Sequence, residues 1–523
     1  YTSIEAFEGS RLNDNMYGDS GANIFDGWRG NDFFRGEGGN DTLTGGQGFD
    51  TVDYRSSTSA VTVDLDAGTA NDGLGGTDTL SEIEGIRGSS FDDTLTGRDV
   101  ADWYGDSFRG LDGADTIDGQ GGFDEVNYAD DVSFGGGGAV NLNLSSSAVS
   151  LNGVTVAAGT VQDTFGDIDT LINIERIRGT SQNDFFQGGE SFDQFRGLDG
   201  ADFFDGGAGV DEVRFDVDEN YGGFRAVTVD LGAGTATDGF GETDTILNVE
   251  NVRGTRFSDT LIGSTEDNIL NGLAGNDTLD GGAGLDEARY SNDESRGGAR
   301  GVNVDLAGGT ATDGFGDTDT LISIENVRGT DFDDTFLGNA ADNRFRGMAG
   351  DDTIDGGAGS DWVAYDRDIF SFRLTEEGIT LAGVTVDLGS GIATDGLGGS
   401  DTLTSIENAT GGSLDDTLTG SAADNIFRGL AGDDAINGGA GNDTADYSGD
   451  AAFGQVISVD GGNGVVVDLA GGTAIDGFGD TDTLTSIENV IGSGANDIIT
   501  GDSGGNTLDG DAGDDVITGG AGN

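Results

Sequence analysis

The chain has no cysteine, no histidine and no proline among its 523 residues. Without cysteine it forms neither disulfides nor thiolate metal sites, and without histidine most zinc, copper and haem chemistry is excluded. Every basic residue is arginine, which also removes Schiff-base and Walker-type lysines. Since each proline would delete a hydrogen-bond donor, its absence favours long, uninterrupted backbone ladders.

Long hydrophobic runs are also missing, and positive charge is scarce. No apolar run approaches the roughly 18 residues of a membrane span, and no signal peptide is visible. The formal net charge is −75, with 98 acidic against 23 basic residues. Such a balance argues against nucleic acid or an anionic membrane as a direct partner, and the isolated arginines give no basic patch. Like charges at this density repel each other in a compact fold, so divalent cations are expected.

Glycine is abundant and regularly spaced. An acidic chain with 100 glycines could be disordered, but apolar residues make up 34% of the sequence and recur at regular positions. From residue 338 to 361, glycine returns every nine residues, and an acid or amide returns in step with it. The sixth position of these nonads holds Asn343, Asp352 and Asp361, and the eighth, apolar position holds Phe345, Ile354 and Val363.

This pattern resembles the glycine-rich nonapeptide G-G-x-G-x-D-x-U-x of the RTX, or hemolysin-type calcium-binding, repeat family. The resemblance covers nearly the whole chain and implies an all-β, right-handed parallel β-roll or β-helix solenoid of tandem calcium-binding repeats. Glycines allow tight turns with inward carbonyls, and the aspartate adds a charged oxygen suited to Ca²⁺. The apolar residue of each short strand then stacks on its copies in neighbouring turns.

The predicted cofactor is therefore Ca²⁺, in multiple copies, held by the aspartates of the nonad turns. The alternative is that these aspartates are solvated turn residues, but strict nine-residue recurrence argues against it. Asparagine replaces aspartate in the second nonad of most blocks, so those turns are expected to bind calcium weakly or to stack without metal. The predicted metal ligands are Asp32, Asp41, Asp50, Asp115, Asp124, Asp202, Asp211, Asp277, Asp286, Asp352, Asp361, Asp434, Asp443 and Asp515.

A longer composite repeat encloses the nonads. Each copy begins with an alternating V-T-V-D-L-type strand, runs through an acidic glycine loop and an Ile/Val-Glu pair, and returns to nonads. Insertions are expected at 133–161, 367–382 and 449–464, with a four-residue excess around 102–109. The predicted units are 1–54 (a partial repeat with nonads at 9–53), 55–128, 129–215, 216–290, 291–365, 366–447 and 448–523. Both ends of the array fall within a motif, so a longer repetitive protein is expected.

The acidic glycine loop is a second candidate site. In the copy at Asp313-Gly-Phe-Gly-Asp317-Thr-Asp319, acids and glycines alternate as they do in a calcium loop. A solvated acidic turn explains the pattern equally well. Further copies contain Asp238 and Asp244, Asp395 and Asp401, and Asp476, Asp480 and Asp482.

The predicted function is structural: a secreted fibre, surface layer, adhesin stalk or biofilm-matrix component, rigidified by calcium outside the cell and exported by type I secretion as the resemblance implies. No acid differs from its copies, so an enzyme is not expected. Self-association and surface glycans are the expected partners, besides calcium. One alternative is the carboxy-terminal repeat region of a secreted hydrolase or polysaccharide-modifying enzyme. Another is an ice- or glycan-binding module, which would need a flat ladder of threonine or aromatic residues.

Overall fold

The structure, a computed structural model, describes residues 6–100, 105–366, 381–450 and 464–522. Most of the predicted insertions at 367–382 and 449–464, and part of the excess at 102–109, lie outside these ranges. The chain divides into two compact units, Tyr1–Thr255 and Arg256–Asn523, and each is considered by itself. In the described ranges, no helix is long and apolar enough to cross a membrane.

In the first unit, short strands form two sheets that we call sheet A and sheet B. Sheet A contains Ala6–Glu8, Ile24–Asp26, Thr42–Thr44, Thr62–Asp64, Thr69–Asn71, Thr77–Ser81, Thr94–Thr96, Thr116–Asp118, Asn141–Asn143, Thr160–Gln162, Ile168–Ile172, Phe185–Gln187, Phe203–Asp205, Thr228–Asp230, Thr235–Thr237 and Thr243–Leu247. Sheet B contains Asn15–Tyr17, Phe33–Arg35, Thr51–Asp53, Gly85–Arg87, Ser107–Arg109, Glu125–Asn127, Arg176–Arg178, Gln194–Arg196, Glu212–Arg214 and Asn251–Arg253. Val149–Leu151 and Val154–Val156 form a separate hairpin, and Asp131–Phe134 and Asp218–Tyr221 are single helical turns.

The second unit repeats this arrangement. Its sheet A contains Thr260–Ile262, Thr278–Asp280, Asn303–Asp305, Thr310–Thr312, Thr318–Ile322, Thr335–Leu337, Thr353–Asp355, Thr385–Asp387, Ile392–Thr394, Ser400–Thr404, Thr417–Thr419, Ala435–Asn437, Val466–Asp468, Thr473–Ile475, Thr481–Thr485, Ile498–Thr500 and Val516–Thr518. Its sheet B contains Ile269–Asn271, Glu287–Arg289, Asn326–Arg328, Arg344–Arg346, Trp362–Ala364, Asn408–Thr410, Ile426–Arg428, Thr444–Asp446, Asn489–Ile491 and Thr507–Asp509. Glu294–Arg296 is a single 3₁₀ turn.

Successive nonads alternate between the two sheets, so each coil of the chain takes two nonads. Thr335–Leu337 pairs in parallel with Thr353–Asp355, 18 residues further on, while the intervening Arg344–Arg346 lies in sheet B. In most of the three-residue strands the middle residue points inward, and the Phe336 and Phe345 rings stack across the core with centroids 5.7 Å apart. The predicted inward residues Phe345, Ile354 and Val363 are buried. The predicted all-β parallel solenoid is therefore confirmed.

Between two blocks of nonads, the part of the composite repeat from Asn303 to Ile322 leaves the regular coil, and we call this part an excursion. The sequence did not predict its course. Asn303–Asp305 was expected as a strand in the stack, and it does pair in parallel with Thr335–Leu337. On its other side, however, Thr310–Thr312 runs antiparallel to it and then antiparallel to Thr318–Ile322. Three strands thus take the chain forwards, backwards and forwards within sheet A before the next nonads begin. The glycine at Gly309, with φ of 67°, makes one of these reversals possible.

A buried tyrosine ties this excursion to the nonads. The Tyr447 ring follows the last nonad strand of its block, and its hydroxyl donates to Asp482 Oδ2 over 3.0 Å. Tyr54 and Tyr290 make the same bond to Asp78 and Asp319. Phe215 occupies the matching position in another repeat. At the same position of a further repeat, the buried Tyr128 hydroxyl has no hydrogen-bond partner among the described residues. The hydroxyl is therefore a stabilising contact that two of the described repeats lack.

Replacing Tyr447 by phenylalanine should destabilise the chain by about 1.5–3 kcal/mol, because a buried hydrogen bond to a carboxylate is lost. The measurement is urea unfolding in saturating calcium. Tyr17→Phe is the matched control, since Tyr17 is 58% exposed and should change little. Equal midpoints for the two variants would contradict the stabilising role of the buried hydroxyl.

Candidate calcium-binding turns

Each nonad aspartate lies in the turn that precedes a strand, and one of its oxygens connects adjacent coils. Asp334 donates its backbone N–H to Asp352 Oδ1 over 2.8 Å, and Asn343 does the same to Asp361 Oδ1. For the predicted ligands the donor is the equivalent residue of the coil before, in most cases 18 residues earlier. The first aspartate after an excursion instead accepts from a valine, as Asp334 does from the Val302 N–H. Oδ1 of the aspartate is therefore occupied by a hydrogen bond that holds adjacent coils together.

The second carboxylate oxygen distinguishes the predicted ligands from the other turn residues. In thirteen of the fourteen predicted aspartates, Oδ2 is buried and has no hydrogen-bond partner. These are Asp32, Asp41, Asp50, Asp115, Asp124, Asp202, Asp211, Asp277, Asp286, Asp352, Asp361, Asp434 and Asp443. The fourteenth, Asp515, is only half-buried, because it lies in the last described coil. Buried carboxylates without partners are costly, so each of these oxygens needs a cation or a proton.

Glycine at the first nonad position leaves room beside this oxygen. At Gly356, an added Cβ would overlap the carbonyl oxygen of Ser405 and lie 2.6 Å from Asp361 Oδ2. Gly438 has the same surroundings, formed by Ser486 and Asp443. Ser405 and Ser486 have positive φ values of 52° and 51°. A carboxylate oxygen and a carbonyl oxygen therefore face the same bare glycine.

Other turns are closed by hydrogen bonds of their own. In the first turn after an excursion, Thr330 donates its N–H to Asp334 Oδ2 and its hydroxyl to Oδ1 of the same carboxylate. In the next turn, Asn343 Oδ1 accepts the Asn339 N–H, and its Nδ2 donates to the Glu325 carbonyl over 3.0 Å. An aspartate at position 343 could not make that second bond. Weak or absent calcium binding at the asparagine turns stays a prediction, and these bonds favour it.

The acidic glycine loop is not a solvated turn. Asp313 is fully buried, and its Oδ1 accepts the N–H groups of residues 315, 316 and 317 at 2.7–3.0 Å. Its Oδ2 is buried without a partner, as it is in all six copies of the loop. The solvated-turn alternative is therefore wrong for the leading aspartate. The calcium-loop alternative stays a prediction.

The later aspartate of this loop joins the nonad stack. Asp319 Oδ1 accepts the Asp277 N–H over 2.9 Å, so it takes the place that the next nonad aspartate would otherwise occupy. On the opposite side, Glu325 Oε2 accepts the Asp286 N–H over 3.1 Å in the same manner. The sequence treated the Ile/Val-Glu pair only as a marker of the repeat. Its constant nine-residue distance from the next nonad aspartate, as from Glu325 to Asp334, was the signal that could have identified its role.

Burial raises the pKa values of these carboxylates, because it disfavours their charged form. Desolvation, together with the nearby Asp319 charge, raises the pKa of Asp277 to about 9. Desolvation and the Asp169 charge likewise raise the pKa of Asp115 to about 9. The pKa of Asp286, which faces Glu325 rather than a second aspartate, rises only to about 6 and again mainly through desolvation. The turns beside the acidic loop therefore carry the largest need for a counter-charge.

The metal-free chain should consequently be better folded in mild acid than at neutral pH. Because the folded state raises these pKa values above those of the unfolded chain, folding takes up protons, and stability falls as the pH rises from about 4 through 6 to 9. Far-ultraviolet circular dichroism of metal-free protein should show more β-structure at pH 5 than at pH 8. In saturating calcium this difference should vanish. If the β-structure signal of the metal-free protein grew with pH, the raised pKa values of these buried carboxylates would be contradicted.

The donor set fits Ca²⁺. Within the described ranges, no three acidic side chains converge on one point, so an ion at a turn would take one or two carboxylates and further oxygens from backbone carbonyls. Calcium accepts six to eight oxygens in flexible geometry, whereas transition metals prefer nitrogen or sulfur. The predicted aspartates, Asp32 to Asp515, would hold the ion and neutralise their own buried charge. Their ligand role stays a prediction.

Comparison with known families agrees with this geometry. The family model of the RTX calcium-binding nonapeptide repeat matches residues 8–34, 17–52, 178–213, 253–287, 328–363, 410–445 and 491–523. The nonads at 88–128 are not matched, and these contain the four-residue excess. A search of curated proteins finds no match. The chain carries RTX calcium-binding nonapeptide repeats in several places along its length, as its sequence indicated.

Proposed function

We propose that this chain is a secreted structural protein, a fibre, surface-layer or adhesin-stalk segment that calcium makes rigid. The observation that carries the proposal is the uniform distribution of open carboxylates: buried Oδ2 atoms without hydrogen-bond partners recur from Asp32 to Asp443. The free energy of calcium binding would thus be spread along the whole array, as a protein that has to be rigid over its length requires. A catalytic site would instead single out one place among the repeats.

Export and folding fit together in this proposal. RTX repeats typify secreted proteins, and cytosolic calcium is too low to neutralise a chain of net charge −75. The chain would remain unfolded inside the cell, pass through a type I secretion channel, and fold in calcium outside. We propose no enzymatic activity for it.

Electron microscopy of the purified chain in millimolar calcium, and again after EGTA, tests the structural role. Long continuous fibres or ordered layers that dissolve on chelation are expected. Separate short particles in calcium would overturn self-assembly and favour the repeat region of an adhesin or of a secreted hydrolase or polysaccharide-modifying enzyme. A catalytic domain in the full-length gene would then decide for the enzyme.

A second candidate, binding to ice or to a glycan, is favoured by a threonine ladder. On the outer face of sheet A, Thr353 lies in register between Thr335 and Thr402, and all three are exposed. These threonines follow the turn aspartates and form rows about 4.8 Å apart on the sheet face, which is the ladder that such a module needs. Inhibition of ice recrystallisation in calcium, lost after EGTA, is the test. No inhibition in calcium would exclude ice as the ligand.

A further inference from the structure

The arginines gather on the outer face of sheet B. In the first unit, the third residue of the strand is arginine in seven of ten sheet-B strands, and this position points away from the core. The strands pair in parallel register, so these side chains form a row about 4.8 Å apart. The expectation that isolated arginines give no basic patch is wrong. It failed because arginines far apart in sequence recur at the same nonad position.

Part of this row lines a groove of about 410 Å³. Its arginines are Arg87, Arg109, Arg176, Arg178 and Arg196. Only two acids line the same groove, Asp106 and Glu125. Glu125 is shared by two of the arginines, and Asp106 pairs with Arg98, which lies outside the groove lining. Arg109 pairs over 2.6 Å with Asp130, which also lies outside the groove lining. The lining itself therefore carries more arginines than acids, in a chain that is strongly negative overall.

Among the described residues, Arg87 has only a long ion-pair contact in this groove. Its nearest ion-pair contact is Asp53 at 3.9 Å, and that carboxylate is also engaged by Arg35 and by Arg55 at 3.0 Å. Burial lowers the pKa of Arg87, and the nearby Arg109 and Arg55 charges act in the same direction while Asp53 opposes them. An oxyanion in the groove would relieve this repulsion. Guanidinium groups bind oxyanions through paired hydrogen bonds.

The groove also has apolar walls and an open floor. The rings of Phe33 and Phe49 line it. The floor is Gly85, whereas the matching strand position in four other repeats is asparagine, as at Asn251 and Asn326. A Cβ at Gly85 would lie 2.5 Å from Thr51 Oγ1 and 3.2 Å from the Phe49 ring. The ligand should thus combine an acidic group with a compact ring.

The second unit shows the same row, and there too arginines outnumber the acids that pair with them. There Glu287 pairs with Arg289, Arg328 and Arg346 at 3.0–3.2 Å. Asp366 adds a second partner for Arg346. The arginine row alone is therefore a structural feature of both units. The groove in the first unit differs because Gly85 opens its floor and Arg87 has no comparable partner.

We propose that this groove binds a uronate sugar, with the carboxylate on Arg87 and the sugar ring against the phenylalanines. The volume is in the range of small-molecule sites. The net charge of −75 would repel a long polyanion, which favours a single acidic sugar or a glycan end. This binding activity goes beyond the structural role proposed above and does not depend on self-assembly.

Calorimetric titration of the whole chain in millimolar calcium tests the proposal with three probes: glucuronate, glucose and inorganic sulfate. Saturable binding of glucuronate is expected, with no binding of glucose and weaker binding of sulfate. Arg87→Gln should weaken glucuronate binding about tenfold or more, since a charged hydrogen bond is lost. Arg328→Gln, at the matching position of the second unit, should leave binding unchanged.

Gly85→Asn is the second variant and introduces the residue that four other repeats carry at this position, so it should fold. It fills the floor without changing the charge and should also weaken glucuronate binding about tenfold. No glucuronate binding by the parent chain, equal binding of glucose, sulfate binding as tight as glucuronate, or full binding by both Arg87→Gln and Gly85→Asn would overturn the proposal. Fibres seen by electron microscopy would stand in any of these cases.

Discussion

Excess EGTA at neutral pH is expected to abolish most of the β-structure of this chain, and renewed calcium to restore it. Thirteen predicted ligands bury a carboxylate oxygen that no protein group contacts, and the formal charge of −75 opposes any compact state. The free energy of metal binding is therefore required for folding, as in other domains whose sites form only in the folded state. Far-ultraviolet circular dichroism is the measurement.

Magnesium provides the control for this experiment. Mg²⁺ has the same charge but demands near-ideal octahedral geometry and gives up its water reluctantly, so equal concentrations should restore much less structure than Ca²⁺. If magnesium restored the β-structure fully, charge neutralisation alone would explain the folding, and no calcium-specific site would be needed. A spectrum unchanged in excess EGTA would contradict calcium-dependent folding altogether.

The second large effect is expected from Gly347→Ala. A Cβ at this glycine would overlap Asp352 Oδ2 and come within 2.8 Å of its Cγ. The carboxylate cannot rotate away freely, because its Oδ1 accepts the Asp334 N–H. We expect the free energy of unfolding in saturating calcium to fall by about 1–3 kcal/mol, the usual cost of overpacking. The calcium concentration at which half of the chains are folded should rise.

Gly494→Ala is the matched control within the same unit. No atom lies within 4 Å of a Cβ placed there, so the change should be neutral or slightly stabilising through the unfolded chain. Calcium titrations of both variants, followed by circular dichroism, make the comparison. If the two variants shared the parent midpoint, the space beside Asp352 would have no role in calcium binding.

Periodicity explains what the sequence could predict. Nine-residue recurrence placed Phe345 in the core and Asp352 in a turn, because a solenoid repeats the same environment in every coil. The excursion through Thr310–Thr312 was not predictable, since an alternating strand pattern does not specify whether its neighbour runs parallel or antiparallel. The arginine groove was missed for a related reason. Arg87 and Arg178 are 91 residues apart in the chain, and only the coil count places them in one row.

The coil-to-coil hydrogen bonds also determine how the chain would respond to a pulling force. Each nonad carboxylate holds only the coil next to it, such as Asp352 with Asp334 and Asp434 with Asp416. Under tension at one end, a single coil can therefore detach without disturbing the others, and its 18 residues would lengthen the chain by about 60 Å. The excursions bridge longer loops, as from Asp352 to Asp401, and would release larger steps. A series of such steps dissipates mechanical work gradually. When the load is removed, each detached coil would bind calcium again and refold.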